Sequence, residues 1–359
     1  MDAGLAPKAP LKETVAKVVE IYHPRTWREK GLWWTAGLFL GTYLVIVTVL
    51  GIIWSRTPGQ FDVKQYALEL VGNDEANLVP GTVTTATAIG QVRTLLDKPG
   101  GYLTNDIFPP GVYVDNMPNW EFGALTELRD LASALRNEFS RSQTQSVEDP
   151  DLRLAEPRLN YDSESWLLPS TESEYRAGAE GLEHYLARLY DAADEDGQFF
   201  ARADNLTVYL GVVAKRLGSL AQRLSYSAGQ AHLDTALAGE PSAVQSTPPV
   251  SDKMLIVTKT PWLEIDDVFF EARGYTWGLL HSLKAMEVDF ASVLENKNAT
   301  VSVQQIIREL ENTQNRIWSP MILNGAGFGP MANHSLVMAS YISRANAAII
   351  ELRNLLVSG

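Results

Sequence analysis

Two hydrophobic patterns divide the chain. From Gly31 to Ser55 no charged residue occurs, and at about 1.5 Å per helical residue such a run crosses a hydrocarbon core of about 30 Å. Trp27, Trp33 and Trp34 at one end and Trp54 at the other mark the headgroup levels that amphipathic rings prefer. Beyond Ser55 apolar residues recur at steps of three and four and strand-like alternation is scarce, which predicts an all-α external part. Seven helical segments stand out: Val83 to Asp97, Glu121 to Arg141, Thr171 to Ala193, Ala203 to Ser225, Trp262 to Leu294, Val301 to Trp318 and Asn333 to Val357. The fourth is the most regular, with Leu206, Leu210, Val213, Leu217, Leu220 and Leu224 forming a heptad seam. The fifth, if unbroken, is about 45 Å long. Such stripes can be buried only against each other, so the fold class expected is one N-terminal transmembrane helix followed by a helical bundle.

The stretch 227–252 is rich in Ala, Ser, Pro and Gly and reads as a linker. The expected organisation is then a tail (1–30), a membrane helix (31–55), a first helical half (56–226), the linker (227–252) and a second half (253–359). One large bundle and two packed halves both fit this pattern. Lys12, Lys17, Arg25, Arg28 and Lys30 precede the apolar run, and only Arg56 and Lys64 follow it closely. The positive-inside rule therefore places the N-terminus in the cytoplasm and the bundle outside, with the run kept as a signal anchor. Residues 11 to 22 have near-helical apolar spacing and suit the inner membrane surface or a short polar tail. Gly37 and Gly41 form a GxxxG that would let two spans approach closely, the basis for expecting a homo-oligomer.

Charge and composition exclude several functions. With Lys+Arg 30 against Asp+Glu 43 the net charge is −13, and such a chain repels phosphate backbones, so nucleic acid is not an expected partner. The absence of cysteine removes disulfides, thiolate metal sites and a Cys nucleophile.

The remaining chemistry is sparse, and neither a cofactor nor a metal is expected. His23, His184, His232, His281 and His334 form no HExxH or paired Glu-x-x-His pattern. His281 lies in the apolar run Tyr275 to Leu283, where a hydrogen-bonded core histidine is the better reading. The acidic turn from Asp191 to Gly197 fails as an EF-hand, because Ala192 and Ala203 occupy the first and twelfth positions. Glu264, Asp267 and Glu271 share a helix face and with Asp266 form a candidate acidic face for a cation or a basic partner. Asn324 to Pro330 is glycine-rich but lacks the P-loop Lys and follows a helix, which rejects a nucleotide fingerprint. Pro99 to Trp120 carries Tyr102, Phe108, Tyr113 and Trp120 without helical periodicity. A loop this long and apolar packs as a wall or rims a groove for a partner or ligand.

The single N-terminal span, Trp166 to Glu172 (WLLPSTE), Phe200 to Leu224, and Asp266 to Phe290 followed by Val301 to Glu311 resemble a family of uncharacterised bacterial inner-membrane proteins, a domain of unknown function found mainly in gammaproteobacteria. The resemblance implies a Gram-negative inner membrane and a periplasmic C-terminal region, and it brings no activity or catalytic residue. The expected function is a non-enzymatic, membrane-tethered periplasmic scaffold or adaptor for another envelope protein. Its alternatives are a periplasmic sensor with a ligand near residues 99 to 120, and an envelope hydrolase using paired carboxylates such as Asp267 and Glu271.

Overall fold

The computed structural model describes residues 19–358 apart from 143–145, 192–195, 230–231, 234–254, 257–259, 320 and 326–328. Most of the expected linker, most of the amphipathic N-terminal stretch, and the centres of the acidic turn and the glycine-rich loop lie outside the described residues. Two compact units are distinguished, residues 1–53 and residues 54–359.

In the first unit α1 (Pro24–Lys30) starts on a proline at its first turn, with the His23 side chain accepting from the Arg25 N–H. It stops at Gly31, whose φ of 85° is the left-handed conformation that glycine tolerates best. The apolar run then forms α2 (Leu32–Trp54), which buries none of its residues. A Cβ on Gly37 or Gly41 would meet nothing within 4 Å, so both glycines lie on an open helix surface.

The second unit is an all-α bundle. Its helices are α3 (Val63–Leu70), α4 (Thr82–Asp97), α5 (Asn116–Ala134), α6 (Pro150–Leu159), α7 (Thr171–Tyr190), α8 (Ala203–Ser227), α9 (Ile265–Asp289), α10 (Ala291–Asn296), α11 (Thr300–Thr313) and α12 (His334–Ser358). His232–Leu233 pairs antiparallel with Leu255–Ile256 between α8 and α9. Helix α9 is the axis, buried at every residue from Ala272 to Leu283. It packs against α5, α4, α11, α8 and α12, while α8 lies along α12 and α6 along α7. Helices from before and after the 227–252 stretch thus share one continuous core. The heptad residues of α8 are all buried in it.

Two glycines set the closest approach. A Cβ on Gly123 of α5 would lie 2.0 Å from the Glu271 carbonyl oxygen, and one on Gly274 of α9 would lie 1.9 Å from the Trp120 carbonyl oxygen. The α5 and α9 backbones therefore touch at a crossing no larger side chain permits.

Three expected boundaries are corrected. The long fifth segment is not unbroken: a 3-10 turn at Trp262–Glu264 precedes α9, and the helix breaks at Phe290 before α10. The break seats the Phe290 ring beside Phe139 and Phe199, at 5.3 and 5.6 Å between centroids. It also leaves Asp289 to accept from the Thr84 N–H at 2.7 Å, capping α4, whose own N-cap Gly81 has no side chain for that task. Helix α11 ends at Thr313, short of Trp318, because Arg273 takes the carbonyls of Thr313, Gln314 and Asn315. Helix α5 begins at Asn116, within the segment expected to be irregular, with Asp115 capping its N–H. Helices α3 and α6 were not expected from the pattern.

Candidate functional site

The segment after Pro99 is irregular in its first part and held from beneath. The Glu121 carboxylate, fully buried on α5, accepts from the Leu103 N–H at 2.9 Å, the Thr104 N–H at 2.9 Å and the Thr104 hydroxyl. It also pairs with the buried ammonium of Lys98, which donates to the Leu95 carbonyl at 3.0 Å and to that of Gly101. Burial pulls the Lys98 pKa down, and Glu121 acts against that pull. Every strong donor and acceptor of this buried ion pair is thus used to fix one stretch of backbone.

A second loop lies beside the first. Asn105 donates through Nδ2 to the Ser165 carbonyl at 2.9 Å and to Glu172 at 3.1 Å. The Thr171 hydroxyl, at the start of α7, bonds the carbonyls of Asp162 and Ser165 at 2.8 and 2.9 Å. The tip of the first loop closes over Gly111, where a Cβ would come within 2.0 Å of the Asp106 carboxylate. Above this scaffold large apolar side chains face outward: Phe108 is 71% exposed, Tyr113 75%, Trp166 53% and Leu168 97%. These apolar side chains are thus exposed on loops whose backbone is fixed by hydrogen bonds from beneath.

The sequence-derived set is thereby divided. Phe108 and Tyr113 belong to the surface, whereas Tyr102 and Trp120 are buried and cannot rim a groove with them. Tyr102 packs edge-on against Tyr175 at 5.7 Å, and Trp120 lies 5.1 Å from Trp277. Trp166, Leu167 and Leu168 complete the surface; in the sequence they show only as three large apolar residues between Ser165 and Pro169 without helical spacing.

The family DUF2333, described as an uncharacterised protein conserved in bacteria, matches residues 27–359. The chain belongs to DUF2333. No curated protein and no solved structure matches it. The DUF2333 match includes both pinned loops and the whole of the second unit, and its description carries no activity.

Two carboxylates of the acidic face are engaged by neighbouring side chains. Glu271 is engaged by the guanidinium of Arg223, with 2.6 Å from Nη1 to Oε2, while Asp267 accepts from the Asn119 Nδ2 at 2.6 Å. Each carboxylate thus has its own partner. Burial, with Asp266, Asp115 and Glu264 nearby, pushes the Asp267 carboxyl up to about 6. Among the described residues no group of three His, Cys, Asp or Glu side chains is placed to hold a metal ion. His281 is held at both nitrogens: Nε2 accepts from the Phe61 N–H at 3.1 Å, so Nδ1 carries the proton and donates to the Trp277 carbonyl at 2.7 Å. Burial lowers its pKa to about 4, which keeps it a neutral staple for the segment that leads into the bundle.

One buried carboxyl escaped the sequence reading. Glu127 on α5 is fully buried, accepts from the Tyr209 hydroxyl at 2.7 Å through Oε1, and has no partner at Oε2. Burial pushes its pKa up to about 7 against the opposing Tyr209 hydrogen bond. Nothing in its position, two residues after Leu125, signals this in the chain.

Proposed function

We propose that this DUF2333 protein is a single-span inner-membrane protein, anchored by Leu32–Trp54, whose helical domain lies in the periplasm and docks another envelope protein as a scaffold or adaptor. The supporting observation is the pair of loops at 101–113 and 162–170: a buried ion pair and partly buried hydrogen bonds fix their backbone, and apolar side chains on the same loops are exposed. A surface kept rigid and apolar favours binding of a protein partner, because little conformational entropy is lost on association. The positive residues before the span and the tryptophans flanking it favour a cytoplasmic N-terminus and a retained anchor.

The test is substitution of the surface without disturbing its supports. In cells carrying Phe108→Ser with Leu168→Ser, the protein is expected to accumulate at wild-type level and melt at the wild-type temperature. A cross-linked envelope partner recovered near stoichiometrically with the wild type should be lost. Undiminished recovery of the same partner would refute the docking surface.

A further inference from the structure

The residues through which the chain enters the second unit line a cavity of about 620 Å³ with α9 and the segment after α11. Among the described residues its cations are Arg56, Arg273 and Arg316, and no carboxylate lines it. Arg56 and Arg316 are exposed and Arg273 is buried. Of the five N–H groups a guanidinium offers, Arg273 uses three on the carbonyls at the end of α11, and its Nε has no partner. Burial alone lowers its pKa to about 10, with no carboxylate acting to restore it. The acids nearest along the chain are engaged elsewhere: Glu271 pairs with Arg223, Glu311 pairs with Lys284, and Asp62 caps α3. In another cavity, between α5, α8 and α9, the lining Arg216 and Arg223 pair with Asp130 and Glu271. In a chain of net charge −13, three arginines around one cavity that have no counter-charge among the described residues, with Arg316 stacked on the Trp318 ring at 4.2 Å, are out of balance.

We infer that this cavity binds a phosphate-bearing anion, and that the headgroup phosphate of an anionic phospholipid in the anchoring bilayer supplies it. Guanidinium groups match phosphate oxygens with paired N–H donors, and basic residues that follow a membrane helix closely in the chain suit an anionic headgroup. The source follows from connectivity: Arg56 is two residues beyond Trp54, the last residue of α2, so it sits within about 7 Å of chain from the end of the apolar helix. The inference rests on the reading of Leu32–Trp54 as an anchor.

The experiment titrates the full-length protein in a zwitterionic detergent with short-chain phosphatidylglycerol, short-chain phosphatidylcholine and inorganic phosphate, scoring bound adducts by native mass spectrometry. One phosphatidylglycerol should bind at least about tenfold more tightly than phosphatidylcholine, and Arg56→Gln with Arg316→Gln should remove that preference. Both substituted side chains are exposed, and circular dichroism checks that the fold is intact. No preference, or a preference unchanged in the double variant, overturns the site. Inorganic phosphate binding as tightly as phosphatidylglycerol overturns the lipid as its source. Flotation with pure phosphatidylcholine vesicles reports the anchor separately, since wild type and double variant should float alike. Failure to float with the preference intact would overturn the anchor and leave the anion site standing, and flotation without the preference would do the reverse.

Discussion

Asn105 donates its side-chain amide to the backbone carbonyl of Ser165 at 2.9 Å, across a sequence separation of 60 residues, and this bond joins two loops that otherwise belong to different helix pairs. The first loop leaves α4 for α5, and the second leaves α6 for α7. Both loops so joined carry exposed apolar side chains, Phe108 and Tyr113 on the first and Trp166 and Leu168 on the second.

That support can be removed selectively. Glu121→Ala leaves the buried Lys98 ammonium and two backbone N–H groups without their carboxylate, and breaking a buried pair from one side costs about 3–5 kcal/mol. Asn105→Ala removes the bond between the loops while Thr171 still donates to the Ser165 carbonyl, and should cost about 0.5–1.5 kcal/mol. Chemical unfolding in detergent gives the stabilities. Amide exchange at Leu103 and Thr104 should accelerate in Glu121→Ala well beyond that of α9.

The crossing of α5 and α9 is equally exposed to test. Gly274→Ala places a methyl group at 1.9 Å from the Trp120 carbonyl, and overpacking of this kind costs about 1–3 kcal/mol or more as the two helices are pushed apart. Gly218 on α8 is the control: its Cβ would sit 3.6 Å from Asn346, an ordinary contact, and alanine there should raise helix stability by about 0.5–1 kcal/mol. Thermal melts of the two variants should shift in opposite directions.

Glu127 makes stability depend on pH in a definite sense. Its pKa rises from 4.5 to about 7 on folding, so between those values the native state holds a proton that the unfolded chain has released. The stability it contributes is complete below 4.5 and is lost as pH rises towards 7. Glu127→Gln stays neutral throughout. The variant should therefore gain on the wild type by up to about 1.4 kcal/mol per pH unit across that window, then hold a constant advantage at higher pH. His281, with its pKa lowered to about 4, adds the opposite slope as pH falls below 6.5, but equally in both proteins, so the difference isolates Glu127. A gap that is flat from pH 4.5 to 7 would contradict the buried, proton-holding carboxyl.

The helices that follow from periodicity are those with one apolar stripe. The seam of α8 from Leu206 to Leu224 is buried residue for residue, and the stripes of α5 and α12 are placed almost as well. Helix α4 is different in kind, because Thr82, Thr84, Thr85 and Thr87 are buried together with Ile89 and Val92, so it is enclosed on all sides from Thr82 to Val92 and its stripe understates its role. Helices α3 and α6 are too short to set a period. The break at Phe290 depends on Phe139 and Phe199 from distant segments, and nothing local announces it. At the candidate site Phe108 and Tyr113 were visible as apolar residues in an irregular segment. Their separation from Tyr102 and Trp120 was not, since burial there is decided by α7 and α9. Glu121, Asn105 and the three arginines of the cavity are brought together only by the tertiary fold.

The central claim is that the two pinned loops form one docking surface, and site-specific photo-cross-linking in intact cells addresses it most directly. A photoreactive residue placed in turn at Phe108, Tyr113 and Leu168 should give the same protein adduct, while one at Val301, exposed on α11 outside both loops, should not. Absence of an adduct from all three loop positions, or equal capture at Val301, would contradict the account.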